Sequence, residues 1–393
     1  MKTNIPYSLK NLIIYFLKLG TWGFGGPVAL VGYMHRDLVE NKKWLTEEEY
    51  KEGLALAQLA PGPLAAQLGI YIGFVHYRYL GATLVGLAFV IPSFIIVVLL
   101  GMVYKIYSGL FWMQAVFYGV SAAVIGIITL SAYKLTLKSV GNLNLNSFKS
   151  NWILWLFYLL GLVLTVITQK EEVLLFIACG FIYMILKAPP AWLKKPQTIP
   201  SIVLIAISSS VHFDDTLFKI GLFFAKAGAF VFGSGLAIVP FLHAGVVQEY
   251  HWLTESQFVD AVAIAMITPG PVVITVGFIG YLVADLPGAT IAALATFLPC
   301  YLFTVLLAPS FNKIAKNESI KAFVEGITAA VIGALVGAVV VIATRSIVDI
   351  TTGIIAILAL LALIYIKKAQ EPLIILVAAL LGILIKLVIF QSS

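Results

Sequence analysis

Most of the chain consists of apolar runs long enough to cross a lipid bilayer as helices. Unbroken runs cover 80–104, 111–131, 151–168, 173–187, 288–309, 322–344, 352–366 and 372–391. Glycine and proline interrupt four others, which cover 9–34, 52–74, 217–245 and 258–284. With the shorter run 199–210, the pattern predicts an all-α polytopic membrane protein of about thirteen membrane passes.

The interrupted runs carry motifs that occur twice. Phe-Gly-Gly-Pro at 24–27 corresponds to Phe-Gly-Ser-Gly at 232–235, and Pro-Gly-Pro at 61–63 returns at 269–271. Both recurrences have an offset of 208 positions, and the run 119–126 returns at 326–333 with an offset of 207. Two copies of one apolar unit, each broken by glycine and proline, are typical of secondary transporters.

The repetition divides the chain into four predicted parts. Residues 1–138 form the first membrane repeat, and 139–210 form a polar loop with connecting transmembrane helices. Residues 211–345 form the second repeat, and 346–393 form a C-terminal pair of transmembrane helices.

Composition excludes a water-soluble protein. Of the 393 residues 61% are hydrophobic and 11% are charged, whereas a soluble domain has roughly 25% charged residues. The net charge of +7 does not indicate nucleic-acid binding, because the basic residues lie mostly in short loops between apolar runs. The solvent of this chain is the lipid bilayer.

The basic residues predict the orientation. In the first copy Arg78 and Lys105 lie at opposite ends of one run, and Arg78 shares its side with most of the other basic residues. In the second copy the bias is reversed, because Asp285 replaces Arg78 and Lys321 is in the loop equivalent to that of Lys105. Since positive loops stay in the cytoplasm, the repeats are predicted to be inverted. The N-terminus is then cytoplasmic in a multi-pass protein of the cell inner membrane.

The interrupted runs either cross the membrane or re-enter it. Loop 35–51 holds four basic residues, which are Arg36, Lys42, Lys43 and Lys51, and its counterpart 243–257 holds no Lys or Arg. Full crossings would place the basic loop outside, against the positive-inside rule. Hairpins that turn back at the glycine and proline motifs satisfy the rule and are favoured.

The breaks themselves predict an anion site. Helix ends leave backbone N–H groups without partners, and the positive end of the helix dipole favours an anion there. Four breaks from inverted halves can meet near the midplane of the membrane. The alternative is that each break is a kink used only for packing. The residues concerned are Gly25, Gly26, Pro27, Pro61, Gly62 and Pro63, and their equivalents Gly233, Ser234, Gly235, Pro269, Gly270 and Pro271.

Two kinds of side chain could complete a substrate site. Lys18 and Lys226 are equivalent residues inside apolar runs, where they could neutralise a divalent anion or extend to the interface. Four polar residues flank the Pro-Gly-Pro motifs, where they could donate to substrate oxygens or satisfy the broken backbone. These are Gln58, Gln67, Thr268 and Thr275.

Three carboxylates are candidates for proton coupling. Glu52 and its equivalent Asp260 begin the segments that lead to Pro-Gly-Pro, where they could equally complement a helix dipole. Glu325 stands alone before the run 326–333. No two histidines or cysteines lie three or four positions apart in the sequence, so neither a metal nor a cofactor is expected.

The motifs resemble those of the chromate ion transporter family. The resemblance rests on Phe24–Pro27, on Lys42-Lys43-Trp44-Leu45, on Gln58–Pro63 with Gln67, and on 232–240 and 266–271. It covers both repeats, and it implies the long form of that family, whose members export chromate from bacteria, driven by protons. Many members have a histidine three residues after Phe-Gly-Gly-Pro, where this chain has Leu30.

The sequence therefore predicts a secondary transporter, not an enzyme, that exports chromate or a sulfate-like tetrahedral oxyanion. Its predicted partners are the oxyanion, protons and the lipid bilayer, and a homodimer is compatible with the symmetric units. Two alternatives stay open, namely an intramembrane enzyme acting on a lipid phosphate and a channel for the same anion.

Overall fold

The computed structural model describes residues 7–170, 173–190, 216–231, 235–311, 317–366 and 370–392. Within these ranges the chain is helical and contains no strand. The first half comprises α1 (Leu9–Trp22), α2 (Gly26–Met34), α3 (Glu47–Leu59), α4 (Leu64–Tyr107), α5 (Phe111–Val140), α6 (Leu145–Ser150), α7 (Trp152–Thr168) and α8 (Val173–Lys187). The second comprises α9 (Thr216–Ala229), α10 (Val239–Leu242), α11 (Glu255–Ile267), α12 (Thr275–Leu307), α13 (Glu318–Ser346), α14 (Ile350–Tyr365) and α15 (Glu371–Ser392).

Four segments of the described chain are long and apolar enough to cross a membrane. They are Leu64–Tyr107, Phe111–Val140, Val272–Ser310 and Glu318–Ser346. Several shorter apolar helices accompany them, among them α7, α8 and α14. The prediction of an all-α polytopic membrane protein is confirmed at this level. The count of thirteen passes stays a prediction, and the run 199–210 lies outside the described residues.

The two halves repeat each other in local backbone detail. A π-helical turn follows α2 at His35–Asn41, and another follows α10 at His243–Glu249. The helices α3 and α11 both begin with a capping box, in which a threonine side chain and the third helical residue satisfy each other's backbone N–H groups. The helices α4 and α12 are each interrupted by a residue with positive φ, Arg78 in the first and Asp285 in the second. The inversion of the repeats stays a prediction.

The interrupted segments of the first half fold back on themselves. The hydroxyl of Tyr71 in α4 donates to Glu52 in α3 at 3.3 Å, and His76 lies 3.2 Å from Glu49. Each pair joins residues at similar distances before and after Pro-Gly-Pro, so α3 and the first turns of α4 lie side by side with that motif at the tip. Tyr15 donates to Asp37 at 3.4 Å, which brings α1 back beside the turn that follows α2. Whether these tips stop inside the bilayer stays a prediction.

Glycine lets the outer helices approach the central ones. Helices α14 and α15 pack on α5, whereas α7 and α8 pack on α13. A Cβ added to Gly119 of α5 would lie 1.9 Å from the carbonyl oxygen of Ala378 in α15. A Cβ added to Gly333 of α13 would lie equally close to the carbonyl oxygen of Tyr158 in α7. Such contacts hold helices together in lipid, where the hydrophobic effect does not.

Candidate functional site

Two reciprocal hydrogen bonds join the broken segments of the two halves. The backbone N–H of Gly62, in the first Pro-Gly-Pro, donates to the carbonyl oxygen of Val231 at 2.5 Å. The backbone N–H of Gly270, in the second, donates to the carbonyl oxygen of Gly23 at 2.9 Å. Val231 and Gly23 immediately precede the two phenylalanine-glycine motifs. The structure therefore brings together breaks that lie 169 and 247 positions apart in the sequence.

The two Pro-Gly-Pro turns are built alike. Gly62 and Gly270 both have positive φ, +143° and +94°, which favours glycine. Each is covered by an equivalent position on a long helix of the other half. Cys300 of α12 lies against Gly62, and Ser93 of α4 lies against Gly270. The hydroxyl of Ser93 also donates to the carbonyl oxygen of Gly20 at 3.2 Å, which ties α4 to α1 beside the break.

Helices start at these breaks without side-chain caps. Helix α2 begins at Gly26 with Pro27 in its first turn, and α4 begins immediately after Pro63. Neither Gly25 nor Pro63 caps the following helix with a side-chain hydrogen bond, so the first backbone N–H groups remain available to another acceptor. In the second half Gly235 packs against Val272 and Val273, beyond Pro271. The predicted residues Gly233 and Ser234 lie outside the described residues.

Three of the four predicted polar donors make hydrogen bonds to nearby backbone carbonyls. Gln67 is buried, and its amide nitrogen donates to the carbonyl oxygen of Pro61 at 2.8 Å. Thr268 donates to Ile264 and Thr275 donates to Val272, in both cases to a backbone carbonyl. The fourth, Gln58, is exposed. Only the bond of Gln67 reaches a carbonyl of a Pro-Gly-Pro turn, because the Ile264 and Val272 carbonyls already accept backbone N–H groups. The choice between the two predicted roles stays a prediction.

The two predicted lysines lie on the surface of the protein. Lys18 is exposed on α1. Lys226 is exposed on α9 and lines a cavity of about 360 Å³ together with Lys170 and Glu249. Their contribution to a substrate site stays a prediction.

The three predicted carboxylates have different surroundings. Glu325 is exposed and pairs with Lys187, with 2.6 Å between the ammonium nitrogen and a carboxylate oxygen. Glu52 is half-buried and accepts a single long hydrogen bond, from Tyr71. Asp260 has only 4% of its surface exposed. A buried carboxylate is costly unless it is hydrogen-bonded or protonated, so Asp260 needs partners that the other two do not.

Two hydroxyl groups satisfy the Asp260 carboxylate. Tyr104 of α4 donates to Oδ2 at 2.7 Å, and Ser121 of α5 donates to Oδ1 at 2.8 Å. Sequence reasoning missed both residues, because Ser121 lies in a small-residue run that helix packing explains. An asymmetry between the copies could have shown Tyr104, because the equivalent position is Phe311.

A cavity of about 540 Å³ reaches Asp260. It lies among the C-terminal ends of α4 and α13 and the N-terminal ends of α5, α11 and α14. Its polar lining includes Tyr104, Ser121, Glu255, Arg345 and Lys386. The sequence did not predict Arg345 or Lys386 as members of a site.

Leu30, at the position where the family resemblance implies a histidine, is fully buried. A Cβ added to Gly23 would lie 2.6 Å from its side chain, so Leu30 packs against the first break. In this chain the position contributes packing beside the break rather than a titratable group.

Comparison with known proteins agrees with the motifs. The sequence model of the chromate transporter family matches residues 10–184 and 218–383. The "Chromate transport protein" of Cupriavidus metallidurans is 62% identical over 96% of this chain and 93% of its own length. The "Probable chromate transport protein" of Synechococcus elongatus is 56% identical over 96% of both chains. The "Chromate transport protein" of Pseudomonas aeruginosa is 27% identical over 97% of this chain and 93% of its own length.

No solved structure matches the fold. The two matched stretches contain both sets of glycine and proline breaks, and the two most similar of these relatives align along nearly their whole length. The chain therefore belongs to the chromate transporter family.

Proposed function

We propose that this protein exports chromate across the cell inner membrane in exchange for protons. The observation that carries the proposal is the reciprocal pair of hydrogen bonds that joins Gly62 to Val231 and Gly270 to Gly23. It supports a single central site at which the breaks of the two halves meet beside the uncapped N-termini of α2 and α4.

A tetrahedral dianion suits such a site. Removing a dianion from water is costly unless several donors replace its hydration shell. Backbone N–H groups at the starts of α2 and α4 supply donors and the positive ends of two helix dipoles. Such donors select for charge and shape more than for the central atom, so sulfate is expected to compete with chromate.

Transport would proceed by alternating access, with one half rocking against the other. The pair formed by Lys105 and Asp285 supports the inverted arrangement that this mechanism requires, with 2.5 Å between nitrogen and oxygen. Arg78 and Lys105 lie at opposite ends of the second part of α4, and Asp285 is the equivalent of Arg78. Asp285 therefore lies at the Lys105 end of α4, whereas its equivalent, Arg78, lies at the other end. Inverted copies require this arrangement. The predicted orientation puts this end outside the cell.

Lys18 and Lys226 remain proposed sources of positive charge for the dianion. Their exposure favours the interfacial alternative, so they require a direct test. If either lysine neutralises the substrate, its alanine variant loses chromate transport at unchanged amounts of membrane protein.

The test uses liposomes containing the purified full-length protein, and everted membrane vesicles. Labelled chromate uptake is measured with an acidic lumen, without a gradient, and with excess sulfate outside. Gradient-driven uptake that sulfate reduces is the expected result. Uptake that follows only the chromate gradient would favour a channel. Absence of uptake of either anion would overturn the proposal and bring the lipid-phosphate enzyme forward.

A further inference from the structure

The Asp260 carboxylate is the predicted proton site that combines burial with access. Its surface is 4% exposed, and it still lines the cavity of about 540 Å³. Glu325 is exposed and already forms an ion pair with Lys187. Glu52 accepts one hydrogen bond of 3.3 Å and lines neither the cavity of about 540 Å³ nor the cavity of about 360 Å³.

We infer that Asp260 binds the transported proton, that the cavity is its access path, and that Tyr104 and Ser121 are its positioning residues. The inference rests on the proposed proton-coupled transport and assigns the coupling step to one side chain. The step transfers one proton from hydronium, in the solution to which the cavity opens, to one carboxylate oxygen. It leaves water and a neutral carboxylic acid. The two hydroxyl groups keep their own protons and donate to the carboxylate before that step.

The geometry links the proton to movement of the two halves. Asp260 lies on α11, in the second half, whereas Tyr104 and Ser121 lie on α4 and α5, in the first half. The ionised carboxylate can accept from both hydroxyls, so it holds the halves together at this point. Protonation removes the negative charge and weakens both charge-assisted hydrogen bonds. The proton state therefore biases the contact between α11 and the helices α4 and α5.

The other charged groups around the cavity each contact a partner other than Asp260. Arg345 of α13 bonds to Glu255 of α11, and Glu255 also lies 2.7 Å from His243. The ammonium group of Lys386 in α15 lies 4.5 Å from the centre of the Tyr118 ring.

Tyr118 of α5 donates in turn to Asp349 at 2.7 Å. These contacts leave the Asp260 carboxylate with hydroxyl donors and no ion-pair partner among the described residues. Of the two carboxylates that line this cavity, Glu255 has ion-pair partners and Asp260 has none among the described residues.

The predicted orientation gives the path a direction. The cavity lies at the end of the molecule where α4 ends and α5 begins, close in sequence to Lys105. That end faces outward if the N-terminus is cytoplasmic. A proton would thus arrive from the outer, more acidic side while chromate leaves the cell.

The decisive variant is Asp260→Asn, compared with Glu52→Gln at the equivalent position of the other half. Each is reconstituted as the full chain, and two rates are measured: chromate accumulation driven by a pH gradient, and chromate–chromate exchange at equal pH. Asp260→Asn is expected to lose the driven accumulation by more than about tenfold and to keep exchange within about threefold. Glu48→Gln, which neutralises an exposed carboxylate one turn before Glu52, controls for the loss of one negative charge.

The outcomes separate this inference from the proposed function. If the parent protein accumulates no chromate, the proposed function fails. If the parent accumulates chromate and Asp260→Asn retains the gradient drive, the inference is wrong. It is also wrong if Glu52→Gln alone loses the drive, or if a correctly folded Asp260→Asn variant loses exchange as well.

Tyr104→Phe provides a test that does not depend on the folding of Asp260→Asn. It retains the ring and removes one hydroxyl donor to the carboxylate. Since that donor stabilises the ionised form, its loss is expected to move the pH midpoint of driven uptake, and of proton release on chromate addition, upward by about one unit. An unchanged midpoint in both measurements would overturn the positioning role of Tyr104.

Discussion

The first and second halves share their backbone breaks but differ around the carboxylate that precedes Pro-Gly-Pro. In the second half Asp260 is buried and accepts hydrogen bonds from Tyr104 and Ser121. In the first half Glu52 is half-buried, and Phe311 occupies the position equivalent to Tyr104. Phe311 packs in a cluster of apolar residues with Leu56, Ala60 and Tyr71.

This difference separates two requirements of a transporter built from a repeat. The breaks must occur in both halves, because each Pro-Gly-Pro donates its hydrogen bond to the other half. A proton-binding group needs no counterpart in the other half, so a single copy of it is sufficient. We therefore expect substitutions at the breaks of either half to impair transport. Substitutions around the carboxylates are expected to impair it in the second half only.

The largest expected effect comes from Gly270→Ala, compared with Gly62→Ala. Both add a Cβ at positive φ, but at Gly270 the new atom would lie 2.0 Å from the hydroxyl oxygen of Ser93. At Gly62 the nearest atom is the amide nitrogen of Gln67, at 2.7 Å. The backbone strain costs about 1–2 kcal/mol and the overpacking about 1–3 kcal/mol more. Both variants should lose most chromate uptake, and Gly270→Ala should have the lower thermal midpoint.

The variant Gly270→Ala/Ser93→Ala separates the two causes. Removing the Ser93 hydroxyl relieves the clash but leaves the backbone strain, so part of the thermal stability should return. If Gly62→Ala were the less stable variant, or if both had the stability and uptake of the parent, the close approach at Gly270 would not restrict the site.

A disulfide between the halves tests whether they move relative to each other. A Cβ added to Gly101 of α4 would lie 3.4 Å from the Cβ of Tyr281 in α12, close to the separation of about 3.8 Å that a disulfide needs. Oxidised Gly101→Cys/Tyr281→Cys is expected to lose most transport, and reduction is expected to restore it. The two single variants, treated with the same oxidant, control for the native cysteines.

Full transport by the oxidised double variant, with the cross-link verified by mass spectrometry, would contradict rocking at this contact. The two halves would then stay fixed relative to each other at this contact, and the movement would have to occur within a half.

The sequence alone predicts the scaffold well. Runs of apolar residues yield the helices, and the glycine and proline motifs mark the breaks that the structure brings together at Gly62 and Gly270. These features are local, since a helix break needs only its own residues, and the repeat makes them visible twice.

The surroundings of Asp260 could not be predicted in the same way. Tyr104 and Ser121 are 156 and 139 positions away from it, and each also suits an ordinary helix in a bilayer. The exposure of Lys18 and Lys226 depends on how α1 and α9 rotate against their neighbours, which the spacing of the motifs does not determine. The pairing of Glu325 with Lys187 similarly depends on the packing of α8 against α13.

A smaller effect is expected from Ser121→Ala, compared with Thr328→Ala at the equivalent position. Ser121 donates to Asp260 at 2.8 Å, so its loss destabilises the ionised carboxylate and should raise the pH midpoint of driven uptake by up to about one unit. Thr328→Ala should leave the midpoint unchanged. Equal shifts in the two variants would mean that both halves carry a proton site, and the asymmetry proposed here would be wrong.

The smallest expected effect concerns stability, through Glu255→Gln and its equivalent Glu47→Gln. Both glutamates begin a capped helix and contact an equivalent histidine, but His243 is 4% exposed in its side chain and His35 is 31% exposed. Glu255 additionally accepts a hydrogen bond from Arg345, whereas Glu47 forms an exposed ion pair with Lys51.

Glutamine keeps the shape of the side chain and removes its charge, so the buried network should lose more than the exposed one. We expect Glu255→Gln to lower the thermal midpoint by about 2–4 °C, and Glu47→Gln to leave it unchanged, in unfolding scans at neutral pH and low salt. Added salt should reduce the difference only slightly, because ions screen a partly buried pair weakly. Equal thermal midpoints of the two variants would mean that Glu255 and Glu47 are equally solvated. The second half would then be distinguished only by the hydroxyl groups around Asp260.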